Sequence, residues 1–410
     1  MTQELHLTSP LQINDSVTIK NRIMKSAMSE NLGDPQHNPT AELISLYKAW
    51  AEGGVGLSVT GNVMIDRAAL GEPNNVVLDR DSDLTNFRKW AALGSKNNTQ
   101  LWMQLNHPGK QIPVFLSKEP VGPSAIPLGH GLEKGFNTPR AMTDSEIQDT
   151  IDAFATSAGL AKDAGFTGVQ IHGAHGYLVS QFLSPRHNQR DDRWGGSPEN
   201  RMRFVLEVYR AIRAKVGSTF PVGIKLNSAD FMKDGFSEEE SMAVVRALSE
   251  EGIDLIEISG GTYESPSMMG ANVRASTLKR EAYFLEYAEQ VRKHTSTTLV
   301  VTGGFRSGKA MSGALTSGAT DMIGVARPMT LMPDLPEQAM NNVDFSIKIQ
   351  RPSTGVKALD RIAMLDITWY EAQLKRIGEG RSPRANLSSW GVVLSTFAGM
   401  GKQAFSKRRA

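Results

Sequence analysis

The chain contains no cysteine among its 410 residues. Disulfides, thiolate-held iron–sulfur clusters and a cysteine nucleophile are therefore excluded. About compartment this says only that an oxidising one is not required. An excess of one charge is also missing. Lys and Arg number 45 against 43 Asp and Glu, a formal net charge of +2, so nothing global points to nucleic-acid binding. No stretch approaches the roughly 20 apolar residues that a membrane-spanning helix needs. The opening MTQELHLTSPLQIND is polar and lacks the apolar core of a signal peptide, so a soluble cytoplasmic protein is the default expectation. What is plentiful is glycine, 38 residues, beside a hydrophobic share of 40%. That combination suits a soluble α/β protein. The length allows two or three domains, although α/β barrels often run this long as one unit.

Short apolar runs alternate with amphipathic stretches. The pattern predicts strands over residues 17–27, 56–63, 100–106, 168–172, 222–227, 255–259, 299–302 and 322–325. Helical periodicity covers 41–52, 84–96, 145–163, 199–215, 238–250, 280–293 and 308–316. Thr143 with Glu146 and Ser237 with Glu240 have capping-box spacing, and Ser197-Pro198 sets a capping hydroxyl before a first-turn proline. Gly165, Gly217 and Gly252 stand where helices end. Eight near-continuously apolar strands separated by helices imply a parallel sheet covered by helices, and eight units favour a closed (β/α)8 TIM barrel over residues 1–345. An open dinucleotide-binding sheet would carry a glycine-rich turn after its first strand, and Ala27-Met28-Ser29-Glu30 is not one. Two parts lie outside the repeat. Residues 108–142 form a Pro/Gly-rich connection where a lid would sit. Residues 346–410 form a helical C-terminal extension, with a helix over 358–377 and a weakly amphipathic basic end. The extension reads as packing on the barrel or on a second subunit, which leaves a homo-oligomer open, rather than as a membrane contact.

In such barrels chemistry sits at the C-terminal strand ends, where Ser29, Gln104, His172, His175, Lys225, Gly303 and Gly304 fall. The richest segment is IHGAHGYLVSQFLSPRHNQRDDRWGGSPENR, residues 171–201. His172, His175 and Tyr177 crowd one strand end, and such a group can bind and protonate a small oxygenated molecule. Residues i and i+3 of a strand face opposite sides, so both imidazoles reach one site only if the chain bends at Gly173-Ala174. They also read as ordinary loop histidines, or as an incomplete metal site. Zinc catalysis usually takes three protein ligands, and no other cluster supplies the third, so no metal is expected. A metal-dependent barrel hydrolase remains the alternative. Arg186, Arg190, Asp191, Asp192, Arg193 and Arg201 read as an ion-pair network bracing the loop.

The same segment resembles the signature of the old yellow enzyme family of FMN-dependent ene-reductases. Further similar stretches are Thr18-Ile19-Lys20-Asn21-Arg22-Ile23, Gln104-Leu105-Asn106-His107-Pro108-Gly109-Lys110, Gly122-Pro123-Ser124-Ala125-Ile126-Pro127, Pro139-Arg140-Ala141-Met142-Thr143 and Thr302-Gly303-Gly304-Phe305. They run in order from about residue 8 to 340. The branch resembling dienoyl-CoA reductases adds an iron–sulfur cluster, which a chain without cysteine cannot hold, so the resemblance implies the short, FMN-only form. It implies an oxidoreductase in which NADH or NADPH reduces FMN and an α,β-unsaturated carbonyl or nitro compound then takes the same pocket, in ping-pong order. His172 and His175 would bind the substrate oxygen and polarise the alkene. Tyr177, a phenol with an ordinary pKa of about 10, would donate the proton, or would simply pack at the rim. Flavin contacts would come from Ser26, Ala27, Met28, Ser29, Gly61, Gln104, His172 and Lys225. The phosphate would lie against Gly303, Gly304, Phe305, Ala326 and Arg327. For these the bland readings are a satisfied buried amide at Gln104, a tight turn at Gly303-Gly304 and a surface cation at Arg327. Relatives often carry arginine at the Lys225 position, threonine or cysteine at Ser29, and alanine at Gly61, where glycine would enlarge the flavin space. A flavin-binding protein without a dedicated substrate is a further alternative.

Overall fold

The structure, a computed structural model, describes residues 5–265, 281–349 and 351–406, with side chains through residue 398. Eight parallel strands close on themselves. They are β1 (Ile23–Lys25), β2 (Leu57–Val59), β3 (Gln100–Asn106), β4 (Gly168–Gly173), β5 (Val222–Asn227), β6 (Leu255–Ser259), β7 (Thr298–Thr302) and β8 (Met322–Val325). Each pairs with the next, β8 returns to β1, and the sheet is covered by helices in a (β/α)8 barrel. Two short strands, Val63–Met64 and Val76–Val77, join the sheet at the end of β3. The covering helices include α1 (Ala41–Glu52), α2 (Leu84–Gly94), α3 (Asp144–Ala164), α4 (Pro198–Val216), α5 (Glu238–Glu250), α6 (Leu285–Arg292) and α7 (Gly308–Thr316). Both capping boxes form, and Ser197 caps α4 ahead of Pro198.

The barrel interior is stratified, and this positions the site. Its lower half is apolar, built from Met24, Leu57, Val59, Trp102, Leu255, Val300 and Met322. Trp102 fills the axis because its neighbours are glycines. A Cβ at Gly168 would lie 2.6 Å from the indole, and one at Gly223 would lie 3.0 Å from it. Leu11 and Ile19 close the bottom from an antiparallel hairpin, Leu11–Asn14 with Val17–Ile19. Above Trp102 the inward residues turn polar, at Gln104, Gln170, Lys225, Glu257 and Thr302, all buried.

The sequence expectation over 17–27 therefore spans two elements. Two short runs, Val17–Ile19 and Ile23–Lys25, flank the polar Lys20–Arg22, which turn the chain from the hairpin into a barrel strand only three residues long. Residues 56–63 likewise split into β2 and the start of Val63–Met64. The helix expected over 280–293 begins at Leu285, and residue 280 lies outside the described residues. The helix expected over 358–377 is two, Lys357–Ile362 and α8 (Leu365–Gly378). Met364 breaks it with φ of 48°, a left-handed conformation that ends α-helix regularity.

The extension packs back on the barrel's own helices. Trp369, Tyr370, Ala363 and Leu365 form a cluster with Val392 and Val393 of α9 (Ser389–Ser406). The Trp369 indole N–H donates to the Leu387 carbonyl at 3.0 Å. α8 lies against α1 so closely that a Cβ on Gly378 would sit 2.4 Å from the Glu42 carbonyl oxygen. Among the described residues no helix is long and apolar enough to cross a membrane. Backbone cannot yield as a side chain does, so Gly378→Ala should lower the denaturation midpoint by the equivalent of about 1–3 kcal/mol. An unchanged midpoint would show that the α1–α8 contact is loose.

Candidate active site

Two cavities open at the C-terminal end of the barrel and share Arg327. One, about 190 Å3, is bounded by Met28 and Ser29 after β1, Gln104 on β3, His172 on β4 and Lys225 on β5. The other, about 350 Å3, lies over Gly303, Gly304 and Phe305 after β7 and Ala326 after β8. A larger cavity of about 520 Å3 between the 65–69 loop and α3 shares no residue with either. Its Arg67–Asp79 and Arg140–Glu146 pairs satisfy one another, which leaves the strand-end cavities as the candidate site.

Glu257 organises the floor. Parallel register sets Gln104 beside Gln170, His172 beside Lys225, and Lys225 beside Glu257. The Glu257 carboxylate, 0% exposed, lies 3.0 Å from Lys225 Nζ. It accepts from Gln170 Nε2 at 2.8 Å, from Thr302 Oγ1 at 2.7 Å and from Ser26 Oγ. Gln104 Nε2 donates to Gln170 Oε1 at 2.8 Å. Burial acts to raise the carboxyl pKa, yet Lys225 and these donors hold Glu257 below the usual value.

The bend between the histidines exists. His172 ends its strand inward, and His175 follows in a left-handed turn with φ of 61°. His172 Nε2 lies 3.3 Å from His175 Nδ1, and His175 Nε2 lies 2.9 Å from Ser259 Oγ. Both imidazoles are pushed well below the ordinary histidine value, by burial first, then for His172 by His175, and for both by the positive charge at Lys225. They are neutral at pH 7. His172 Nδ1 is buried with no partner, while both ring nitrogens of His175 are engaged. A proton order that runs from the Ser259 hydroxyl through His175 to His172 leaves an N–H donor at Nδ1. Tyr177, 6% exposed, contacts His172 with ring centroids 4.7 Å apart. Burial, with the Glu72 carboxylate, pushes its phenol up to about 12.

Several expected residues stand elsewhere in the network. The Ser26 hydroxyl is taken by Glu257 and Lys225 and does not line the cavity. Ser29 lines it, but its hydroxyl proton goes to Glu72. At Gly61 no space is gained, because a Cβ would lie 2.0 Å from Glu30 Oε2. The Gly61 amide donates to Glu30 and Tyr47, within a second buried cluster built on Lys25. Residues 108–142 supply none of the cavity wall. Asn62, Glu72 and Tyr263 supply it instead, together with Asp366, Ile367, Tyr370 and Leu374 from α8 and its first turn. The excursion is an ion-pair brace, through Arg186–Glu264, Arg190–Asp192, Arg193–Asp144 and Arg201–Glu240. Glu257 and Gln170 were not anticipated. The signal was present, as the one charged residue in the apolar run LIEIS and the residue two before His172 on the same strand face.

The residues fit a flavin mononucleotide. Arg306, Arg327 and Arg351 line the second cavity beside the left-handed Gly303 and Gly304, φ 133° and 91°, a cationic setting for a phosphate. Gln104 and Lys225 offer an amide and an ammonium at the other end. Among the described residues no group of three His, Cys, Asp or Glu is placed to hold a metal ion.

The sequence profile of the NADH:flavin oxidoreductase / NADH oxidase family matches residues 6–345. A relative in Hypocrea jecorina, the NADH-dependent flavin oxidoreductase iliE, is 36% identical over 87% of this chain and 97% of its own length. An old yellow enzyme homologue from Zymomonas mobilis superposes with a TM-score of 0.70 at 25% identity, over 84% of this chain and 95% of that one. A 2-naphthoyl-CoA reductase solved with 2-naphthoyl-CoA gives 0.76 at 27% identity, and there the match covers 83% of this chain but only 53% of the longer protein.

Glu257→Ala leaves Lys225 buried without its counter-charge and should cost about 3–5 kcal/mol in denaturant unfolding. A loss under 1 kcal/mol would mean that the pair is dispensable. The histidines carry a pH signature. The unfolded chain protonates them near 6.5, the folded chain only far lower, so stability is lost as pH falls below about 6.5, at about 1.4 kcal/mol per pH unit and histidine. Replacing both with Asn should flatten that slope between pH 6.5 and 5; an unchanged slope would contradict their burial as neutral rings.

Proposed function

Since the chain belongs to the NADH:flavin oxidoreductase / NADH oxidase family, the FMN-binding oxidoreductases of old yellow enzyme type that draw on NADH or NADPH, we propose that it reduces the C=C bond of an activated alkene. The substrate class is an α,β-unsaturated carbonyl or nitro compound. FMN, when bound, supplies the hydride that nicotinamide delivers to it and that the β-carbon receives. The observation that carries the reading is the orphaned His172 Nδ1 beside Tyr177 in one buried cavity. His172, held by His175 and Ser259, donates to the substrate oxygen and withdraws electron density from the alkene. Neutral imidazoles suit this role, because they bond a developing enolate without surrendering a proton. Tyr177 then gives its phenolic proton to the α-carbon, and a phenol raised to about 12 stays protonated until that carbon demands it.

The remaining assignments follow from the same cavities. Lys225 and Gln104 hold the pyrimidine edge, with Ala27, Met28 and Ser29 along the first-strand side. Gly303, Gly304, Phe305, Ala326 and Arg327 hold the phosphate. Residues 1–345 carry most of the cofactor contacts, and the extension over 346–410 adds Arg351 to the phosphate cavity and walls the other cavity through α8. Nicotinamide and alkene use one cavity in turn, which makes the kinetics ping-pong. The metal-dependent alternative finds no support, because the two histidines are bonded to each other and lack a third ligand among the described residues.

The test is a steady-state screen with NADH and NADPH against cyclic enones, maleimides and nitroalkenes. Parallel double-reciprocal lines are expected. Replacing His172 and His175 with Ala should lower alkene turnover by about 100-fold or more while flavin content and anaerobic bleaching by NADH persist. Equal loss of flavin and turnover would show that the histidines hold the fold or cofactor, and would overturn the assignment.

A further inference from the structure

Tyr263 stands outside every motif of the resemblance, yet its hydroxyl lies 2.8 Å from that of Tyr177. Asn62 Nδ2 approaches the same Tyr177 oxygen at 3.4 Å and can only donate. A phenol oxygen accepts two hydrogen bonds and donates one. If Tyr263 also donates, both acceptor positions of Tyr177 are filled, and its own proton is left to point into the cavity beside His172. The opposite order would spend the Tyr177 proton on Tyr263. The chain fixes Tyr263 with some care. Its neighbour Thr262 forms a backbone bridge to His175. Its other neighbour, Glu264, with a side chain 1% exposed, contacts His187 Nε2 at 3.3 Å and Arg186 at 3.5 Å and accepts the Gly129 amide at 2.8 Å. Phe136 meets the Tyr263 ring edge-on, centroids 6.5 Å apart. The charged excursion and the 108–142 connection thus converge on one tyrosine, and through it on Tyr177.

We propose that Tyr263 is a positioning residue that aims the Tyr177 proton at the substrate and replaces it after transfer. The inference rests on the alkene-reduction reading above. In the step, the Tyr177 O–H bond breaks and a C–H bond forms at the α-carbon, leaving a phenolate on Tyr177. The Tyr263 O–H bond then breaks as Tyr177 regains a proton, and Tyr263, half-buried where Tyr177 is closed off, is reprotonated from water. No electron moves in this relay, and the net proton comes from solvent.

The test compares the FMN-loaded wild type with Tyr263→Phe and Glu264→Gln in two half-reactions. Phenylalanine keeps the ring packing and removes only the hydroxyl. Tyr263→Phe should leave anaerobic reduction by NADH within about twofold, slow reoxidation by 2-cyclohexenone by about tenfold or more, and change the solvent deuterium isotope effect on that phase. Glu264→Gln, which loosens the tether and spares the hydroxyl, should give a smaller slowing in the same phase. Reoxidation by Tyr263→Phe at the wild-type rate and isotope effect would overturn the role of Tyr263 alone. Slowing of both half-reactions alike would also overturn it, since that marks a general structural loss. Wild-type protein that NADH reduces but no activated alkene reoxidises would overturn the reading beneath it as well.

Discussion

The buried pair of Lys225 and Glu257 is the constraint on which the upper barrel depends. Two opposite charges at the centre of a closed sheet lose their hydration, and their attraction repays that loss only when further hydrogen bonds satisfy the remaining atoms. Here Ser26, Gln170 and Thr302 supply those bonds from three other strands. With Gln104 on β3 bonded to Gln170, the polar layer is therefore a single unit joining the end of β1 to β3, β4, β5, β6 and β7. Apolar residues of similar volume would serve stability as well or better. A layer of this kind is explained by what it presents upward, a cation at Lys225 and an amide at Gln104, at fixed positions beneath a cavity.

The histidine–tyrosine corner is built on the same logic of satisfied neighbours with one opening left. His175 has partners on both ring nitrogens, and His172 on one. Ring orientation is thus set before any ligand arrives, which reduces the ordering cost of binding and of the transition state. Burial keeps both rings neutral. The wall that completes the corner is not local to it, since it comes from the 62–72 segment, from Tyr263 and from α8. The shape of this cavity is consequently set in part by the extension, beyond the residues that the family profile matches.

Much of the fold was legible because most barrel strands declare themselves by short, predominantly apolar runs. Residues 100–106, 222–227, 255–259 and 322–325 carry such runs with turn signals at both ends, and the structure forms strands over the same bounds. Residues 17–27 misled because hairpin and barrel strand are both apolar, and only tertiary pairing separates them. Met364 was opaque because methionine has no propensity of its own for the left-handed turn it adopts there. At the site, residues on one strand end could be grouped from spacing alone. Glu257, Tyr263 and Glu72 could not, because each acquires its neighbours through register between distant strands or through loops whose path no local pattern specifies. Gly61 shows the converse, where the space that a small residue suggests is filled by Glu30 from another segment.

The central claim is that one cavity, furnished by His172, His175 and Tyr177, passes electrons from a nicotinamide to an activated alkene. The most direct measurement is anaerobic: the purified protein loaded with FMN, reduced with one equivalent of NADH or NADPH, then mixed with 2-cyclohexenone while flavin absorbance is followed. The account predicts bleaching on reduction and full return of the oxidised spectrum with stoichiometric formation of cyclohexanone. A protein that bleaches and then stays reduced, across enones, maleimides and nitroalkenes alike, would contradict it.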